Sequence, residues 1–176
     1  MEEFLQSYST KAMRTAIYPD VHNNLSYPPK AVVDEWGEIA EKLLGKTPPF
    51  SHNDLAHELG DAYWEINALV VEMGYGFSAL ILEAADMNVI SESVQGLVID
   101  GYLMISKVMG RLKKYERDGN AAQMVLARDY TVQLLAILGA IVYEAGFDLQ
   151  EILQMNLDKL ADREARNVLG GDGDER

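Results

Sequence analysis

The chain has 176 residues, a formal net charge of −13 and 48% hydrophobic residues, a length and apolar content that suit one folded domain and exclude disorder. The acidity excludes a nucleic-acid duplex as partner, because such binding rests on Lys and Arg meeting phosphate. Cysteine is absent, which removes disulfides, thiolate nucleophiles and thiolate zinc sites.

The first predicted helix covers about residues 2–16, followed by a loop holding Pro19, Asn23, Asn24, Pro28 and Pro29. A second helix runs over about 30–45 and stops near Gly45, with Pro48 and Pro49 beyond it. Ser51 and Asn53 are alternative N-caps for a third helix over about 53–73. MGYGFS breaks that helix, and a shorter one follows over about 77–87. Long helices near 92–117 and 121–145 are separated by ERDGN. The last runs from Asp148 to about Val168, and residues 170–176 form a polar tail. No segment alternates between turn signals as a strand does, so the predicted class is an all-α helical bundle. Val32, Trp36, Ile39 and Leu43 form one apolar stripe at the 3.6-residue period. Leu55, Leu59, Ala62, Ile66, Leu69 and Met73 form another. No apolar run approaches the roughly 20 residues of a membrane span. The start, MEEFLQSYSTK, lacks the pattern of a signal peptide, so the expected location is cytoplasmic and no membrane partner is expected.

Beside these stripes lie two pairs of carboxylates. Glu35 and Glu38 flank Trp36 and Ile39, while Glu58 and Asp61 flank Leu59 and Ala62. Residues three apart share a helix face, so packing the two stripes together would bring four carboxylates onto one patch. Even in a solvent-like medium each close like-charged pair costs about 1 kcal/mol. Protonation or a bound cation relieves that cost, and an all-oxygen site suits Mg²⁺. The competing reading is a solvated acidic face, in a chain with 28 Asp and Glu. A di-iron carboxylate bundle would need Glu-x-x-His on two helices. None of His22, His52 and His57 follows a Glu at that spacing.

ExxE in DEWGEIAEKL and ExxD in HELGDAYWEI resemble the paired motifs of the MazG-like all-α nucleoside triphosphate pyrophosphohydrolases. RTAIYPD (14–20) is similar to the segment before their first acidic helix, and NLDKLADREARNVLGGDGDER (156–176) to their C-terminal segment. The resemblance implies that Glu35, Glu38, Glu58 and Asp61 are the catalytic, metal-binding set for Mg²⁺, with Mn²⁺ as a substitute. It implies a small-molecule nucleoside triphosphate as substrate, cleaved between the α and β phosphates to monophosphate and pyrophosphate. Lys159, Arg163 and Arg166, at i, i+4 and i+7 on the last helix, are candidate phosphate contacts, with pairing to Asp158, Asp162 and Glu164 as the alternative. Lys42 either reaches substrate or pairs with Glu38. dUTP and phosphoribosyl-ATP are alternative substrates, and a non-catalytic helical module that binds a nucleotide or protein is the rival from another class.

A short family member would pass almost directly from ELGDAYW to a segment like FDLQEILQMNLDKL, but about 70 residues intervene here. They overlay on the acidic helices with shifts of 65 and then 72 residues. Lys42 then matches Lys107, Gly45 matches Gly110 and Gly74 matches Gly146. The acids do not persist: Glu35 falls on Asp100, Glu38 on Leu103, Glu58 on Tyr130 and Asp61 on Gln133. The expected organisation is one domain of two repeat-like halves, about 1–88 and 89–170, the second degenerate. The expected assembly is a monomer with pseudo-dimeric repeats, or a homo-oligomer.

Overall fold

The computed structural model describes residues 1–91 and 93–170. Among the described residues there are seven helices and no strand: α1 Glu2–Met13, α2 Tyr27–Leu43, α3 His52–Glu72, α4 Phe77–Ala85, α5 Val94–Asp118, α6 Ala121–Glu144 and α7 Leu149–Ala165. The all-α bundle is as expected, with shifts at the ends. α1 stops three residues earlier than predicted. α2 starts three residues earlier, because Pro28 and Pro29 fall in its first turn, where a missing N–H costs nothing. Ser51, not Asn53, caps α3: its hydroxyl accepts from the Asp54 N–H at 3.1 Å while the Asp54 carboxylate accepts from the Ser51 N–H at 2.7 Å. Asp148 caps α7. Most of the predicted polar tail, residues 171–176, lies outside the described residues.

Both predicted stripes are buried, apart from half-buried Leu43, and one apolar core draws on all seven helices. α6 differs from expectation: it is long and apolar enough, by length and composition, to cross a membrane. It packs against α5, α4, α3 and α7, and burial on several faces accounts for apolarity without a narrow stripe.

The helix pairings fall into a two-fold pattern. α2 packs on α3 as α5 packs on α6; α7 lies on α3 as α4 lies on α6. α2 crosses α5, α3 touches α6, and α1 touches both α4 and α7. Exchanging α2 with α5, α3 with α6 and α4 with α7 preserves these contacts; α1 on α3 has no counterpart. The exits of α3 and α6 match bond for bond. Met73, Gly74 and Tyr75 donate to the Leu69, Val71 and Val70 carbonyls, and Ala145, Gly146 and Phe147 donate to those of Ile141, Tyr143 and Val142. Gly74 and Gly146 take φ of 81° and 79°, the left-handed conformation that ends each helix.

Where α2 crosses α5, bulk and void are complementary. A Cβ on Gly101 would lie 1.8 Å from Trp36 Cζ2, so only glycine admits that ring. The Trp36 indole N–H donates to the Val98 carbonyl at 3.1 Å. One residue on, a Cβ on Gly37 would meet the Tyr102 hydroxyl at 3.6 Å. Both pairs are 65 positions apart. This crossing fixes the rotation of α2, and with it the direction in which Glu35 and Glu38 project.

Candidate metal centre and adjoining cavity

α2 supplies Glu35, Glu38 and Lys42, which recur at i, i+3 and i+7 along one side of the helix. α3 supplies Glu58, Asp61 and Glu65 at the same spacing. Packing α2 on α3 brings oxygens of Glu35, Glu38 and Glu58 within 4.8 Å of one another. Glu58 is 3% exposed and Glu38 is the most open of the three.

Asp61 lies outside that close trio. It accepts from the Asn156 side-chain amide at 2.9 Å and from the Lys159 ammonium, both on α7. Asn156 in turn accepts from the Tyr8 hydroxyl of α1 at 3.1 Å, so Tyr8, Asn156 and Asp61 form a buried relay of hydrogen bonds. Gly60 permits it: a Cβ there would sit 3.0 Å from the Asn156 Cβ, so α7 approaches α3 closely just beside Asp61. Lys42 donates to Glu58.

The last helix divides its three cations. Lys159 reaches Asp61, and Arg163, 5% exposed, lines a cavity beside it. Arg166 forms an i, i+4 ion pair with Asp162, half exposed and outside the cavity lining. Arg166 thus makes the pairing to Asp162 that the sequence offered as the alternative to phosphate contact.

Two of the acids, Glu35 and Glu38, are shifted toward the protonated form. Glu35 is pushed up to about 9, first by burial and then by the charges of Asp61, Glu38, Glu65 and Glu58. Glu38 is raised to about 7 by burial, by a hydrogen bond with Glu58 and by that group's charge, with Lys42 opposing. Crowded carboxylates that retain protons near neutrality exchange them for a hard divalent cation. With only oxygen donors, the set fits Mg²⁺ or Mn²⁺: Glu35, Glu38 and Glu58 would hold the ion, with Asp61 beside them.

A cavity of about 230 Å³ opens next to the trio. Glu35 and Asp61 belong to its wall, together with Glu65, Arg163 and the rings of Tyr18, Tyr27 and Trp64. Tyr18 stacks on Tyr27, with centroids 4.9 Å apart, and donates its hydroxyl to Glu72 at 2.8 Å. Glu72 also accepts from the His22 and Asn24 backbone N–H groups, which ties the loop before α2 to the end of α3. Glu65 and the aromatic wall were missed in the sequence. Glu65 had a signal, lying one turn beyond Asp61 on the same face.

Tyr130 and Gln133, which the sequence overlay sets against Glu58 and Asp61, do not line this cavity. Lys107 and Arg111 lie over the Tyr130 ring, 5.2 and 5.8 Å from its centroid. Compared with known proteins, the chain matches no family model, no curated protein and no solved structure.

Proposed function

We propose that the protein is a Mg²⁺-dependent nucleoside triphosphate pyrophosphohydrolase. The observation that carries the reading is the convergence of Glu35, Glu38 and Glu58 from two helices within 4.8 Å, beside Asp61 and a cavity. A surface acidic face would scatter such groups into solvent, whereas Glu58 is buried and Asp61 is held by two α7 donors. The motifs that support a cation here are those that resemble the MazG-like enzymes.

Mg²⁺ on these carboxylates would polarise the bound phosphates and make an attacking water more acidic. The water oxygen bonds to the α phosphorus, the bond from that phosphorus to the α–β bridging oxygen breaks, and pyrophosphate leaves with the electron pair. The released proton passes to a carboxylate of the cluster. Lys42, Lys159 and Arg163 set positive charge around the acids, so that a polyanion approaches despite the chain's net charge. Asn156 and Tyr8 keep Asp61 in one orientation, a role that such supporting hydrogen bonds commonly fill at metal sites. The setting that goes with this reading is the cytoplasm.

In this reading the second half is a copy that lost its acids and now serves as the packing partner of the first. One chain then plays the part of two subunits. A panel of nucleoside triphosphates, with dUTP and phosphoribosyl-ATP included, tests the activity. Pyrophosphate and not phosphate should appear, only with Mg²⁺ or Mn²⁺. Glu38→Gln and Asp61→Asn should each lower the rate by about 10²–10³-fold, the scale of losing one preorganised electrostatic group. A folded wild-type protein that cleaves none of the panel refutes the activity, and full activity in both variants refutes the site.

A further inference from the structure

Glu65 is the buried carboxyl that the proposed chemistry leaves unused. It is 8% exposed, it lines the cavity, and its Oε2 has no hydrogen-bond partner among the described residues. Buried carboxyl oxygens that serve only structure are nearly always bonded. Glu65 is also outside the trio of mutually close acids, which comprises Glu35, Glu38 and Glu58. A buried, unpartnered carboxyl on a residue that lines a cavity is a group that a ligand can satisfy.

The cavity says what kind of ligand. Its volume of about 230 Å³ falls below the roughly 300–1,000 Å³ of sites for drug-sized molecules, so it takes one ring system and not a whole nucleotide. Three carboxyls and one guanidinium, Arg163, line it. Aromatic surface from Tyr18, Tyr27 and Trp64 favours a flat, uncharged ring. The walls are set before any ligand arrives. Glu72 holds Tyr18, and the Trp64 indole N–H donates to the Ala12 carbonyl and the Thr15 hydroxyl at 3.1 and 3.2 Å. Asp61 stands at the metal end and Glu65 four residues on, about 6 Å along the helix axis. That separation leaves room for a sugar between a phosphate at the acids and a base at Glu65.

We propose that this cavity is the nucleobase pocket and that Glu65 is the residue that pairs with the base edge. The proposal rests on the nucleotide reading above and adds the binding mode. Burial, together with the charges of Asp61 and Asp34, raises the Glu65 carboxyl to about 8, so it carries its proton at neutral pH. A neutral carboxyl offers one donor and one acceptor side by side. Adenine, cytosine, guanine, uracil and thymine each present an adjacent donor and acceptor that this group can meet. Glu65 therefore binds the ring edge without selecting one base, and the enzyme is tolerant of base identity.

The test compares Glu65→Gln and Glu65→Ala with wild type on the triphosphate panel. Gln keeps one donor and one acceptor, so its KM values should stay within about threefold of wild type. Ala should raise KM for every base by about tenfold, the scale of one or two buried hydrogen bonds, with kcat little changed. A wild type that cleaves triphosphates beside a Glu65→Ala variant with unchanged KM overturns the pocket and leaves the activity standing. A wild type that cleaves nothing sinks the activity instead. Titration of unphosphorylated nucleosides into metal-free protein then decides the pocket separately. Trp64 fluorescence should respond in wild type, weaken in Glu65→Ala and vanish in Trp64→Phe. A response that is absent in wild type, or that Glu65→Ala leaves intact, refutes it.

Discussion

Gly101→Ala should destabilise this protein, although the same change in an ordinary helix would stabilise it. In a helix interior, Ala is favoured over Gly by roughly 0.5–1 kcal/mol. Here the added Cβ would fall 1.8, 2.3 and 2.6 Å from three atoms of the Trp36 ring. The ring is fully buried and its N–H is bonded to Val98, so it cannot swing into solvent. Overpacking of this kind costs about 1–3 kcal/mol, and loss of the indole hydrogen bond about 1 kcal/mol more. The balance is a net loss of about 1–3 kcal/mol. For a chain of this size that lowers Tm by roughly 2–4 °C per kcal/mol, or about 2–12 °C in all. Thermal melts followed by circular dichroism measure it, with urea unfolding as a check. The decisive comparison repeats the substitution in a Trp36→Leu background. There the void is no longer filled by the indole, and Gly101→Ala should become stabilising. If Gly101→Ala raises Tm in both backgrounds, the α2–α5 crossing is not built as described.

Three further outcomes follow from the same geometry. Glu35 and Glu65, raised to about 9 and 8, bind protons in the folded chain at pH values where the unfolded chain has released them. Their contribution to stability is complete below the ordinary value of 4.5 and is lost as pH rises through 8 and 9. The slope is about 1.4 kcal/mol per pH unit for each retained proton. Urea unfolding of metal-free protein from pH 5 to 9 should show that decline, and saturating Mg²⁺ should flatten it by replacing the Glu35 proton; a metal-free stability that is flat or rising contradicts the assignment. Asn156→Leu should leave the Tyr8 hydroxyl buried without an acceptor, costing about 1–3 kcal/mol. It should also weaken Mg²⁺ binding by calorimetry about 10–100-fold, as loss of a supporting hydrogen bond does. Gly74→Ala and Gly146→Ala should each cost about 1–2 kcal/mol at their left-handed turns, and unequal losses in thermal melts would break the equivalence of the two helix exits.

Much of the scaffold was legible because helical periodicity is a local signal. The stripes of α2 and α3 could be read residue by residue, and the acid pairs were placed by the same spacing. What could not be read was set by contacts distant in sequence. Nothing near Asn156 announces that it will bond Tyr8, 148 positions away, and Asp61, 95 positions away. Lys42 is one turn from Glu38 along its own helix, and only the packing of α3 reveals its bond to Glu58, 16 positions away. Arg166 looked equivalent to Lys159 and Arg163 by spacing, but α7 ends at Ala165 and its last cation turns to Asp162. α6 lacked a clear stripe because four helices contact it. Glu65 was passed over as an ordinary helix acid, since its missing partner is visible only once the helices are packed.

If the chain is doubled as the overlay proposes, the two halves differ in what surrounds the acids. On the proposed overlay, Lys42 pairs with Glu58 in the first half, while Lys107 lies over Tyr130 at the matching positions in the second. The cation persists and its partner has changed from a carboxylate to a ring, an interaction that needs no metal. The helix behind each site matters as much. Leu80, Ile81 and Ala84 of α4 are buried at the positions matching Ile152, Leu153 and Asn156 of α7. Ala84 thus stands where Asn156 steadies Asp61, and α4 ends at Ala85, before the positions that match Lys159 and Arg163. The second half therefore lacks the amide and the cations that organise the first, not just its four acids. Trp36 against Gly101 and Gly37 against Tyr102 complete the asymmetry, since each half supplies the bulk that the other lacks. Two identical halves would set tryptophan against tryptophan and glycine against glycine at this crossing. The fit between the two different halves is what holds α2, and with it Glu35 and Glu38, at the site.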